Sequence, residues 1–162
     1  MRASLLLAGL TLASLVPMLQ ARAQDLDARP VYRLYHDVGG EHLLTASRNE
    51  VRTLRGQDWS YEGVEFYVAD DPGPGLVPLY RFDREEGGHF YTTSRARGRR
   101  MGGIFEGVLG YISARRDRGL APLHDLYDAE SGMHLYTANP RAEAPHGYES
   151  AGVLGYVVPG RR

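Results

Sequence analysis

One phrase recurs three times along this chain at intervals of about 45 residues. It reads Val31-Tyr32-Arg33-Leu34-Tyr35, His42-Leu43-Leu44-Thr45, then Glu62-Gly63-Val64 with Tyr67. It returns as Leu79-Tyr80-Arg81-Phe82, His89-Phe90-Tyr91-Thr92, and Glu106-Gly107-Val108 with Tyr111. A worn copy follows as Leu123-His124-Asp125-Leu126-Tyr127, His134-Leu135-Tyr136-Thr137, and Gly152-Val153 with Tyr156. The histidines stand 47 and 45 residues apart, and the glycines 44 and 45. A period of this size marks an array in which no single copy buries its own apolar face.

Each copy begins with a proline followed by a strand-like run: Pro30 to Tyr35, Pro78 to Phe82 and Pro122 to Tyr127. Proline is tolerated at the start of a strand. A Gly- and acid-rich turn leads to the His-x-x-Thr segment, which predicts a hairpin. Alternation along the strands places Leu34, Phe82 and Leu126 inward, together with Leu43, Phe90 and Leu135. The histidines His42, His89 and His134 then share the opposite face with Leu44, Tyr91 and Tyr136. Arg48 to Arg55 is predicted to form a helical turn or two, with Ser47 as cap and Glu50 at capping-box spacing. Arg95 to Gly103 is read as a loop particular to the second copy. The closing Val/Tyr/Gly run is read as a strand whose glycines mark bulges.

The expected fold class is all-β: three repeats of about 45 residues with pseudo-threefold symmetry and short helical connectors. A β-trefoil-like closure is the first expectation, because closure removes exposed edges. A three-bladed, propeller-like pinwheel is the alternative. The domain is expected over 30–160, with repeats 30–75, 76–119 and 120–160, behind a flexible segment 24–29. Residues 1–23 read as a signal peptide, with Arg2, an apolar run from Ser4 to Val16, and Ala21-Arg22-Ala23 as cleavage site. That run is shorter than a membrane span, so no span is expected in the mature protein. The chain is therefore expected in the periplasm or outside the cell.

Cysteine is absent, so no disulfide supports the fold. Without Arg2 and Arg22 the chain carries 17 basic and 20 acidic residues, which gives no general attraction to nucleic acid. Arg33 with Glu62, and Arg81 with Glu106, are expected to form bidentate pairs between first and last strands. The third copy has Asp125 and Ala151 at those positions, so both partners are lost together.

With these residues in view, the chain resembles a bacterial and fungal family of extracellular repeats of unknown function. The resemblance rests on Pro30 to Tyr35, His89 to Thr92 and Glu106 to Tyr111, and extends over the mature chain. It implies an accessory, adhesive or carbohydrate-binding role and supplies no catalytic residue.

The function expected is a secreted, non-catalytic binding module for a glycan or cell-surface polysaccharide. Aromatic rings offer sugars an apolar face, and His, Asp and Arg satisfy hydroxyl groups. The candidate ligand-binding residues are His42, Asp83, Arg81, His89, Tyr91, Glu106, His134 and Tyr136, with the second copy best equipped. No cofactor is expected, and no metal: three imidazoles make a plausible zinc set, but no spacing demands it. The alternative is protein–protein recognition, including protease inhibition through a loop. An enzyme is the weakest reading, because nucleophile elbow, zinc-protease and phosphate-loop motifs are all missing. Glu85-Glu86 is an adjacent carboxylate pair whose side chains diverge.

Overall fold

The computed structural model describes residues 28–85 and 88–160. The signal-peptide reading and Glu86 lie outside the described residues. Among the described residues, nine strands and three short helices follow one another in a repeating order. Unit one holds β1 (Ala28–His36), β2 (His42–Thr45), α1 (Arg48–Leu54) and β3 (Trp59–Ala69). Unit two holds β4 (Leu76–Arg84), β5 (Gly88–Thr92), α2 (Arg95–Arg100) and β6 (Ile104–Ser113). Unit three holds β7 (Ala121–Asp128), β8 (His134–Thr137), α3 (Pro140–Glu143) and β9 (Tyr148–Pro159). The all-β class is as expected. The expected flexible segment is corrected at its end, because Ala28 and Arg29 pair with Ala69 and Val68.

In each unit the first strand lies between the second and the third, antiparallel to both. Registers recur from unit to unit: Leu34 faces Leu43, Phe82 faces Phe90, and Leu126 faces Leu135. The long strands then meet each other. Ala69 pairs with Tyr111, Ser113 with Tyr156, and Phe66 and Tyr67 with Pro159 and Val158. The last strand thus returns to the first unit, and Gly160 N–H donates to Glu65 C=O at 2.8 Å.

Two bulges recur on every long strand. Register shifts leave Glu62, Glu106 and Ala151 without a partner residue, and then Glu65, Leu109 and Leu154. A bulge kinks the strand and redirects the extra side chain. The residue after the first bulge has positive φ: Gly63 116°, Gly107 152° and Gly152 129°. Glycine occupies that backbone region without the Cβ clash of other residues.

Alternation identified only half of the core. Leu34, Phe82, Leu126, Leu43, Phe90 and Leu135 are all buried, but so are Leu44, Tyr91 and Tyr136 on the opposite face. The second strand of each unit is enclosed on both sides because its neighbours cover it. Tyr91 takes a hydrogen bond from Leu44 N–H and donates to Leu44 C=O, both at 2.8 Å. Tyr136 accepts from Tyr91 N–H at 3.1 Å. The two rings meet edge to face, with centroids 5.0 Å apart. Burial pushes both phenols far above their ordinary range, so they remain protonated donors.

The connectors are also more alike than their sequences. Ser47 and Ser94 cap α1 and α2 by accepting from Glu50 and Arg97 N–H. Arg95–Arg100 is therefore a helix counterpart, not a loop particular to unit two. Its Gly98 is buried, and a Cβ there would meet the Phe82 ring at 2.2 Å. Only a glycine lets α2 lie this close to β4.

Tyr91→Phe is expected to lower the unfolding free energy by about 2–4 kcal/mol, because two buried backbone groups of Leu44 lose their partner. Urea denaturation measures this. A change below about 0.5 kcal/mol would contradict the bridging role.

Candidate ligand pocket at the junction of units one and two

The bulge places each carboxylate over the first strand. Glu62 meets Arg33 Nε at 2.6 Å, and Glu106 meets Arg81 Nε at 2.7 Å. Both expected pairs are present, but neither is the fork anticipated: each is a contact through Nε. The outer nitrogens reach into the neighbouring unit. Arg81 Nη1 and Nη2 grip both oxygens of Glu50 on α1 at 2.9 and 3.0 Å. Arg33 Nη1 reaches Glu143 on α3 at 2.8 Å. At the remaining junction the signs are exchanged: Asp125 on β7 receives Arg97 of α2 at 3.1 Å. A strand charge in each unit is thus matched by a helix charge from the unit before it in cyclic order.

Two histidines join these clusters. His89 Nε2 lies 3.3 Å from Glu106, and its Nδ1 contacts Glu41 of unit one. His42 Nε2 lies 3.7 Å from Glu62. His134 is placed differently: it is buried, Nδ1 lies 2.5 Å from Asp125, and its ring stacks on Tyr136. The three imidazoles therefore belong to three separate carboxylate clusters. Among the described residues, no group of three or more His, Cys, Asp or Glu is placed to hold a metal ion.

At the junction of units one and two lies a pocket of about 350 Å³. Unit one supplies Arg29, Thr45, Ala46, Ser47 and Glu50, and unit two supplies Arg81 and the bulged run Glu106 to Leu109. Arg29 crosses from β1 to donate to Leu109 C=O at 3.0 Å and pairs with Asp70 at 2.8 Å. Val108 of the lining is 42% exposed; Phe105, outside the lining, is 41% exposed and packs against Tyr80 and Phe82. Arg95 lies over the Phe105 ring, 4.1 Å from its centroid.

Of the sequence-predicted residues, Arg81 and Glu106 line the pocket, and His89 buttresses Glu106 from behind. Asp83 lies opposite His89 in the β4–β5 register, outside the lining. His42 sits in the cluster around Arg33. Tyr91 and Tyr136, with His134, are corrected: they lie in the interior and present no face to solvent. Residues not singled out for the site are Glu50, Arg29, Glu41 and Val108. Glu50 stood at capping-box spacing, which was a usable signal, but its carboxylate goes to Arg81 while Ser47 N–H donates to Thr45. Nothing local in the sequence pointed to Arg29.

Burial alone would raise the Glu50 carboxyl, but hydrogen bonds from Arg81 and Thr45, together with the Arg81 charge, outweigh this and hold it below the ordinary range. Burial would likewise raise Glu41, and its bonds with His89 bring it below. Burial disfavours the Arg81 cation, yet the hydrogen bond to Glu50 and the charges of Glu50 and Glu106 more than restore it, so Arg81 stays charged throughout. A carboxylate depressed in the folded state stabilises above its unfolded value and loses that contribution as pH falls through the folded value. Stability is expected to drop below about pH 4.5. Glu50→Gln should lower stability at neutral pH and flatten that acid limb. An unchanged limb in urea titrations at several pH values would contradict the Arg81–Glu50 assignment.

No helix among the described residues is long and apolar enough to cross a membrane. Neither the curated proteins nor the solved structures contain a match to this chain. A family model described as "Domain of unknown function (DUF5648)" matches residues 16–102, which run from ahead of β1 through α2. The chain belongs to that family, DUF5648, a domain of unknown function.

Proposed function

We propose that this chain is an exported, non-catalytic glycan-binding module, acting in the periplasm or outside the cell. Its three units are read as copies closing around a pseudo-threefold axis. Nine strands in three antiparallel triplets fit a three-bladed pinwheel better than a β-trefoil, and the mutual pairing of β3, β6 and β9 removes inner edges.

The observation that carries the binding reading is the pocket between units one and two. Its volume falls in the range of small-molecule sites. Its wall is polar, with guanidinium and hydroxyl donors beside carboxylate acceptors, as a polyhydroxylated ligand requires. Val108 lines it and is 42% exposed, so an apolar sugar face has a surface to lie on. The buried tyrosines supply no such platform. The pocket carboxylates Glu50 and Glu106 are both engaged by Arg81. A glycosidase needs one carboxyl with raised affinity for its proton, and Glu50 is shifted the other way.

A second reading, recognition of a protein, has one observation in its favour. Ile104, Phe105 and Val108 are all exposed apolar residues on β6, with Ile104 60% exposed.

A glycan microarray probed with the purified protein tests the first reading. Binding is expected, and Val108→Asp should weaken it about tenfold or more, because a charge replaces the apolar contact. Silence across neutral and acidic glycans would sink the proposal, as would undiminished binding by Val108→Asp.

A further inference from the structure

The three junctions hold the same parts but differ at one position, and that difference identifies what the open pocket accepts. The second bulge carries Glu65 in unit one, Leu109 in unit two and Leu154 in unit three. At the junction of units three and one, the buried Glu65 carboxylate receives Ala138 N–H at 3.1 Å and lies 3.2 Å from Arg33 Nη1. It fills the space between strand arginine and connector backbone. At the junction of units one and two, Leu109 stands in its place, and its side chain cannot accept a hydrogen bond. Here the counterparts of those two groups, Arg81 and Ala46, both line the pocket.

Charge points the same way. Around Arg33, one guanidinium accommodates three carboxylates, those of Glu62, Glu65 and Glu143. In the pocket, two guanidiniums, Arg29 and Arg81, face two lining carboxylates, Glu50 and Glu106, while Asp70 pairs with Arg29 from outside the lining. Arg29 has no basic counterpart, because Val77 and Ala121 hold its position in the other units. Arg81 uses three of its five N–H groups on Glu106 and Glu50, so two remain for a further acceptor. At the junction of units two and three the strand charge is Asp125, which would repel an anion.

We infer that the pocket binds a carboxylate, and, resting on the glycan reading above, that its ligand is an acidic sugar of the uronic type. The ligand carboxylate takes the place that Glu65 fills from within the chain at the neighbouring junction. It meets Arg81 and Ala46 N–H, with Arg29 on its other side, while the ring lies toward Val108.

Isothermal titration of the purified protein with a uronic-acid trisaccharide, its methyl ester and succinate tests this. The acid is expected to bind, and the ester at least tenfold more weakly. Leu109→Glu should abolish uronate binding, because it supplies the carboxylate from within as Glu65 does. Arg29→Leu should weaken the acid tenfold without weakening the ester, and it tests the same point if Leu109→Glu fails to fold. Equal binding of acid and ester overturns the carboxylate site and leaves the glycan reading standing. Succinate binding without sugar binding upholds the carboxylate site and overturns the glycan reading. Uronate binding undiminished in Leu109→Glu or Arg29→Leu overturns the assignment to this pocket.

Discussion

The arginine at the middle of a first strand holds two kinds of contact at once. Arg81 is fixed within its own unit by the bulged Glu106 and reaches outward to grip Glu50 of the unit before it. The bulge leaves Glu106 without a partner residue in the β4–β6 register, beside Arg81. Without the outward grip, α1 would have no polar tie to β4. The pocket exists because these two arrangements leave space beside the second bulge. Partly enclosed charged groups of this kind are costly to separate, since removing one partner leaves the other unpaired.

The three junctions share a frame and differ in charge. Arg33 and Arg81 each receive a glutamate from the preceding helix, whereas Asp125 receives Arg97. The change of sign on both sides of one contact is what preserved attraction requires. Differences between the units also separate structure from recognition. Tyr91 and Tyr136 tie successive units through their hydroxyls, and Leu44 at the same position in unit one supplies none. Glu65 closes one junction from within, whereas Leu109 leaves the next one open. Features common to the units therefore account for the frame, and the departures locate the site.

Much of the frame was legible in the sequence because it depends on local chemistry. The hairpins, the capped connector at Ser47, the bulges at Glu-Gly, and the inward faces of Leu34 and Phe90 all follow from spacing and residue type. The Arg81–Glu106 pair was legible because both partners vanish together in the third unit. The burial of Tyr91 and Tyr136 was not, since alternation assumes one wet face and β5 and β8 have none. Nor was the pocket, whose walls come from residues as far apart as Arg29 and Leu109. Contacts between units depend on how the units dock, which no single repeat encodes.

The central claim is that complementary charge between the first strand of a unit and the helix of the unit before it joins each unit to the next. A double-mutant cycle on Asp125 and Arg97, followed by urea denaturation, tests it most directly. Asp125→Arg and Arg97→Glu should each destabilise the protein. Combined, they place Arg against Glu as at Arg81 and Glu50, and should recover about 1–3 kcal/mol relative to the sum of the single changes. Losses that simply add, with no recovery in the double variant, would contradict the account.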